Sequence, residues 1–173
     1  RRPPRASTAP PPVPERTVPD DPNPPSSPPA LPAPFAARPL LIAHRGLGHG
    51  HPENTLEAFA AAWSAGAAVV ELDVRACADA LVVVHDEDLR RVAGVARTIA
   101  GTPLAALRRI DLGGGARVPT LDAVLAACPA GCGVNVELKD PGAATVLAEH
   151  LAGLEDRVLV STFDHDALAR LRA

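Results

Sequence analysis

Five short runs of apolar, mostly β-branched residues mark out the larger part of this 173-residue chain: PLLIAH (39–44), AVVELDV (68–74), LVVVHD (81–86), GVNVELK (133–139) and RVLVSTF (157–163). Each has the length of a strand. Each is apolar at nearly every position, as expected where both faces of a sheet are covered. Alanine- and leucine-rich stretches with helical spacing lie between them. NTLEAFAAAWSA (54–65) starts with Asn54 as a cap and Glu57 placed to reach back to it. Leu56, Phe59, Ala60 and Trp63 then share one face, and Gly66 is placed to end the helix. TLDAVLAAC (120–128) has Thr120 as its cap, PGAATVLAEHLAGL (141–154) opens on Pro141, and DHDALARLRA (164–173) has Asp164 as its cap. Strand followed by helix, repeated, implies parallel strands and the α/β class.

Residues 1–38 differ in kind. Most of the prolines are here, with few large apolar side chains. Proline lacks an N–H donor and fixes φ, so the stretch can build neither helix nor sheet. It also has too little to bury to offset the entropy of ordering. We read 1–38 as a disordered, proline-rich tail or linker and 39–173 as the folded domain. A spacer between an export signal and an enzyme would have this composition, which favours a secreted or cell-envelope location over the cytoplasm.

The net charge of −3 gives no electrostatic case for a nucleic-acid partner. No apolar run approaches the roughly 18–20 residues of a membrane span. Cys77, Cys128 and Cys132 lack the spacing of a zinc knuckle. A Cys128–Cys132 disulfide and unpaired thiols are both open, and thiols are preferred.

The informative feature is where the apolar runs stop. The first ends at His44, the second runs into Glu71 and Asp73, the third stops at His85 and Asp86, the fourth runs into Glu137 and Lys139, and the fifth stops at Ser161. In a parallel α/β barrel the C-terminal ends of the strands carry the active site. Glu71 and Asp73 are two apart, so both point to one side of their strand, and Glu137 and Lys139 repeat the arrangement. Three converging carboxylates repel one another unless a cation joins them. Oxygen ligands suit a hard divalent ion, Ca²⁺ or Mg²⁺. Such an ion, two histidines, an arginine and a lysine suit an anionic phosphoryl substrate. Lys139 is the only lysine in a chain that otherwise uses arginine.

HRG (44–46), PENT (52–55), ELDV (71–74), VVHD (83–86), PTL (119–121) and ELK (137–139), in this order and spacing, resemble the glycerophosphodiester phosphodiesterases. The resemblance covers Pro39 to Ala173. It implies a TIM-type (β/α) barrel that hydrolyses small glycerophosphodiesters, such as glycerophosphocholine, to sn-glycerol 3-phosphate and an alcohol. It implies that His44 and His85 are the general acid and base and that Glu71, Asp73 and Glu137 bind the metal. Arg45 is then the phosphate-binding arginine, Lys139 the lysine beside the site, and Glu53 a support that orients Arg45 or the metal shell. Residues 87–118 look like the family's small insertion after the third strand. His49 and His51 fall at positions where the family varies, and are expected at the mouth of the site or in solvent.

Two departures from the family pattern stand out. Asp79-Ala80 replaces the usual Asp-Gly before the third strand; glycine there serves a tight turn and alanine disfavours positive φ, so a modest stability cost and no chemical effect are expected. The chain also ends after a fifth strand–helix unit, whereas a barrel needs eight strands and typically about 250 residues. The expectation is therefore a barrel truncated after that unit, its last strands missing. Two alternatives accompany the main reading: a related phosphodiesterase acting on lysophospholipids, and a truncated, non-catalytic barrel module.

Overall fold

In the computed structural model, the structure describes residues 33–36 and 39–171. The expectation of a disordered tail falls almost wholly outside them. The exception is a 3₁₀ turn, Ala33–Phe35, whose Phe35 is buried. Its ring lies so close to Gly133 that a Cβ added there would sit 2.9 Å away. A buried aromatic thus docks the end of the proline-rich stretch on the domain.

The sheet is built from β1 (Ile42–His44), β2 (Val69–Ala76), β4 (Gly133–Leu138) and β5 (Val158–Ser161), all parallel and in that spatial order. Helices α1 (Leu56–Ser64), α4 (Leu121–Ala127), α5 (Ala144–Leu151) and α6 (His165–Leu171) come from the stretches with helical spacing. This is the repeating parallel βα architecture of a (β/α) barrel.

Strand β3 (Leu81–Val83) departs from the expectation of a fifth parallel strand. It folds back antiparallel on the end of β2, pairing Val74 with Val83, and lies off the parallel path. The parallel path therefore holds four strands among the described residues, and RVLVSTF supplies the fourth. The reason β3 is apolar throughout is that it divides two cores. Leu81 and Val83 join the main core between sheet and helices, with Leu72, Val74, Phe59, Leu121, Val136 and Leu147. Val82 and Val84 join a second core with Leu89, Ile99, Leu107, Leu112 and Val118. Residues 87–118 thus have a core of their own, with two one-turn helices, α2 (Arg90–Ala93) and α3 (Leu104–Leu107).

Local signals behaved unevenly. Thr120 caps α4, Asp164 Oδ1 accepts from Ala167 N, and Gly66 at φ +92 follows the end of α1. Pro141 starts a 3₁₀ turn that leads into α5. The α1 cap is Thr55, not Asn54. The buried face is Ala58, Phe59 and Ala62, with Trp63 packed against the core beside them, while Leu56 and Ala60 are exposed. The β2–β3 turn closes with Cys77 N donating to Ala80 O, and Ala80 has no positive φ. The backbone ground for expecting a stability cost from alanine there, a positive φ, is therefore absent. All three cysteines are free thiols. No helix among the described residues is long and apolar enough to cross a membrane.

Candidate active site

Even-numbered residues of β2 and β4 face the helices: Val70, Leu72 and Val74 on one strand, Val134, Val136 and Leu138 on the other. Side chains alternate along a strand, so the odd-numbered residues share the opposite face. Register then aligns the polar positions. His44 lies opposite Glu71, Asp73 opposite Glu137, and Glu137 opposite Ser161. One carboxylate oxygen each from Glu71, Asp73 and Glu137 lies within 4.8 Å of the others.

These acids are deep. Glu71 is 6% exposed and Asp73 not at all. Burial pushes the Glu71 carboxyl above the usual range, and the neighbouring charges of Asp73 and Glu137 add to the push. Two cations oppose them. Lys139 Nζ is 2.6 Å from Glu137 Oε1 and 3.3 Å from Asp73 Oδ1. Arg45 Nε is 3.0 Å from Asp73 Oδ2. Even so, Glu71 Oε1 and Asp73 Oδ1 are buried without a hydrogen bond. Glu71 Oε1 is left without a hydrogen-bond partner and Asp73 Oδ1 has only the Lys139 ammonium nearby, and such under-satisfied buried carboxylate oxygens are costly. A hard divalent cation would satisfy them, and the all-oxygen donor set fits Ca²⁺ or Mg²⁺.

The turn after β1 is wound tightly. Arg45 and Gly46 have φ of +55° and +86°. Such values are uncommon outside glycine. Arg45 N donates to both the backbone O and Oε2 of Glu71, each at 3.0 Å. Gly46 is required here, because an added Cβ would come within 2.7 Å of the α1 backbone at Ala58. The turn lays the Arg45 side chain across the carboxylates, where Nη1 also donates to Glu53 Oε1 at 3.1 Å.

Asn54 is a site residue that the sequence pattern hid. It is buried at φ +58, and its side chain turns away from the helix it was expected to cap. Nδ2 donates to Asp73 Oδ2 at 2.8 Å, and Oδ1 accepts from Asp73 N at 3.3 Å. The available signal was two capping residues side by side, Asn54 and Thr55: a helix uses one N-cap, which released the other.

The two histidines differ. The His44 side chain is 69% exposed, and its Nε2 stands 3.9 Å from Glu71 Oε2. The His85 ring is fixed, with Nδ1 2.6 Å from Asp86 Oδ1. Burial raises the Asp86 carboxyl, but hydrogen bonds from His85 and Arg91 outweigh it and hold the group below the usual range. An ionised carboxylate only accepts, so Nδ1 carries the hydrogen of this bond and Nε2 is the ring nitrogen that Asp86 leaves unengaged. Arg75 Nε donates to the His85 carbonyl at 2.8 Å. Arg91 meets both Asp86 and Glu53. His85 therefore joins the other candidate residues through Asp86 and Arg91. Arg91 lies in a stretch without helical or strand periodicity, and nothing local in the sequence marked it.

His49 and His51 are exposed and take no part in the carboxylate cluster. Ser161 Oγ donates to Asn135 Oδ1, and the ring of Phe163, 91% exposed, lies 5.8 Å from Lys139 Nζ.

Comparison with known proteins adds to this geometry. Residues 44–173 match the model of the glycerophosphoryl diester phosphodiesterase family. A glycerophosphodiester phosphodiesterase of Bacillus altitudinis is 35% identical over 146 residues, covering 75% of this chain and 60% of that protein. The crystal structure of a glycerophosphodiester phosphodiesterase from Thermotoga maritima superposes with a TM-score of 0.68 at 37% identity, over 75% of this chain and 56% of that one. An Oleispira antarctica phosphodiesterase, solved in complex with the product sn-glycerol-3-phosphate, superposes with a TM-score of 0.66 at 32% identity, over 76% of this chain and 60% of that one. The chain thus spans about 60% of the length of the curated relative.

Proposed function

Because the chain belongs to the glycerophosphoryl diester phosphodiesterase family, we propose that the whole protein hydrolyses small glycerophosphodiesters, such as glycerophosphocholine, to sn-glycerol 3-phosphate and an alcohol. The observation that carries this reading is the carboxylate set of buried Glu71 and Asp73 with half-buried Glu137, two of whose buried oxygens lack a hydrogen bond, beside His44, Arg45 and Lys139. The relative solved with sn-glycerol-3-phosphate supports the product assignment.

In this reading Glu71, Asp73 and Glu137 hold Ca²⁺ or Mg²⁺. When bound, that ion acts as a Lewis acid on the phosphoryl oxygens. The protein's own groups do the rest. Arg45 Nη2, which has no partner among the described residues, is available to a non-bridging phosphate oxygen, while Nε and Nη1 are tied to Asp73 and Glu53. Lys139 adds positive charge on the Glu137 side. His85 and His44 share the proton transfers: one imidazole takes the proton from the attacking oxygen and the other gives one to the departing alkoxide; where the attacker is the substrate's own glycerol hydroxyl, the cyclic phosphate it forms is then opened by water to glycerol 3-phosphate. Glu53 holds Arg45 from outside. Hydrogen bonds from Arg91 in particular keep the Glu53 carboxyl below the usual range, so it stays charged. The substrate in this reading is a small molecule, and a secreted or cell-envelope location is proposed on the composition of the proline-rich stretch alone.

The test is to incubate the complete protein with glycerophosphocholine or lysophosphatidylcholine, with Mg²⁺ or Ca²⁺ and then with a chelator, and to measure glycerol 3-phosphate and choline. Chelator-sensitive release of glycerol 3-phosphate is expected from glycerophosphocholine. Cleavage of the lysophospholipid alone would replace the substrate assignment. No metal-dependent cleavage of either would leave a non-catalytic module.

A further inference from the structure

We propose that Arg91 is a positioning residue for His85: it clamps Asp86 and Glu53 together, and so fixes the imidazole relative to the loop that carries Arg45. The inference rests on the hydrolase reading above.

The guanidinium engages three of its nitrogens in two directions. Nε donates to Asp86 Oδ2 at 2.6 Å. Nη1 and Nη2 grip Glu53 as a fork, at 2.8 Å to Oε2 and 2.6 Å to Oε1. Each acid then holds a second group with an oxygen facing the site. Asp86 Oδ1 meets His85 Nδ1 at 2.6 Å, and Glu53 Oε1 accepts from Arg45 Nη1 at 3.1 Å. With Arg45 Nε on Asp73, the chain Asp73–Arg45–Glu53–Arg91–Asp86–His85 alternates in charge from the carboxylate set to the imidazole. Arg91 is the link between its two halves.

A solitary surface ion pair would not support this reading. Such pairs contribute little to stability, and the Arg91 side chain is 49% exposed. Three features set this one apart. The contact is a bidentate fork plus a third bond, a geometry that guanidinium provides and ammonium does not. The arginine is placed by a packed frame: Leu89, before α2, is buried, and Val92 and Ala93 pack on the second core. The carboxylates it holds are also themselves in contact with site residues. Its neighbour Arg90 has no such place: among the described residues it pairs only with Asp88. Asp86 without Arg91 would keep one oxygen for His85 and lose the bond that stops the carboxylate from turning. Misplacing a catalytic group by about 1 Å can cost ~10²-fold in rate.

The experiment compares Arg91→Gln, Arg91→Lys and Arg90→Gln in the complete protein, with kcat and KM for glycerophosphocholine and the ¹⁵N spectrum of the His85 ring, assigned by its loss in His85→Asn. Arg91→Gln is expected to lower kcat ~10–10²-fold with the loss mainly in kcat rather than KM. Lysine at this position, keeping charge without the fork, should recover little, and Arg90→Gln should behave as wild type. Adding Arg91→Gln to Asp86→Asn should cost little more than Asp86→Asn alone. In the wild type the ring should show one fixed tautomer with Nδ1 protonated, and in Arg91→Gln the two nitrogens should average. Wild-type kcat in Arg91→Gln, full additivity with Asp86→Asn, or an averaged ring in the wild type would each overturn the proposal. Should Arg91→Gln fold poorly, Arg91→Lys carries the comparison, and a fully active lysine variant overturns the role of the fork. A fixed wild-type tautomer that averages in Arg91→Gln, with no hydrolysis by any form, would refute the hydrolase reading while leaving the clamp in place.

Discussion

Glu71, Asp73 and Glu137 are set by backbone register: each sits on a strand bonded to its neighbour, with a helix-covered apolar face behind it. His85 lies past the end of β3, next to the insertion with its separate core, and is held by side chains: Asp86 on the ring, Arg75 on the carbonyl, Arg91 behind Asp86. A sheet fixes many positions at once, because a register slip would move a whole face. An ion-pair chain fixes one position, and it can be undone one residue at a time. The metal-holding half of the proposed site should therefore tolerate damage to the insertion, while the acid–base half should not.

The largest expected effect tests that separation. His85→Ala should lower kcat about 10²–10⁴-fold, the range for lost acid–base catalysis, and leave the affinity for Ca²⁺ or Mg²⁺ near wild type by calorimetry. His44→Ala should lose turnover within the same range. A His85→Ala protein that turns over near the wild-type rate would remove His85 from the proposed chemistry. One that also loses the metal would show that the two halves are not separate.

A smaller effect should come from the opposite side. Asn54 holds Asp73 at both its carboxylate and its amide, so Asn54→Ala should weaken divalent-ion binding by about 10–100-fold, as when a group that orients a metal ligand is removed. Part of any stability loss would come from φ +58, which alanine adopts poorly. Asn54→Gly separates the two causes, because it tolerates the backbone and lacks the amide. Metal affinity restored in the glycine variant would mean that backbone strain, and not the hydrogen bonds, was the cause.

The same contrast explains what could be read from the sequence. Period-two alternation and the acids that close the apolar runs placed Glu71, Asp73, Glu137 and Lys139 together, because register converts spacing into proximity. Caps with a single candidate, Thr120 and Asp164, were legible for the same local reason. Asn54 was misread because Thr55 beside it can also cap, and only burial against Asp73 decides between them. Strand β3 was read as parallel because a strand dividing two cores is apolar on both faces, like one inside a parallel sheet. Arg91 was invisible, since its partner Glu53 lies 38 residues away with no periodic pattern linking them.

The smallest expected effect concerns charge in the ion-pair chain. Hydrogen bonds from Arg91 hold the Glu53 carboxyl below its ordinary pKa, and those from His85 and Arg91 outweigh burial to do the same for Asp86. Groups with lowered folded-state pKa values stabilise the native state above their unfolded pKa, and the contribution disappears as pH falls through the lowered values. Because Arg91 is half exposed, solvent screens the pairs, and the stabilisation lost in Arg91→Gln should be only about 1 kcal/mol or less near neutral pH. Urea unfolding of wild type and Arg91→Gln should show that small gap at neutral pH and a closing gap in acid, as both carboxylates take up protons. A gap unchanged by acid would mean that Arg91 contributes to stability by packing its stem on the insertion. The ion-pair chain would then position His85 without stabilising the fold.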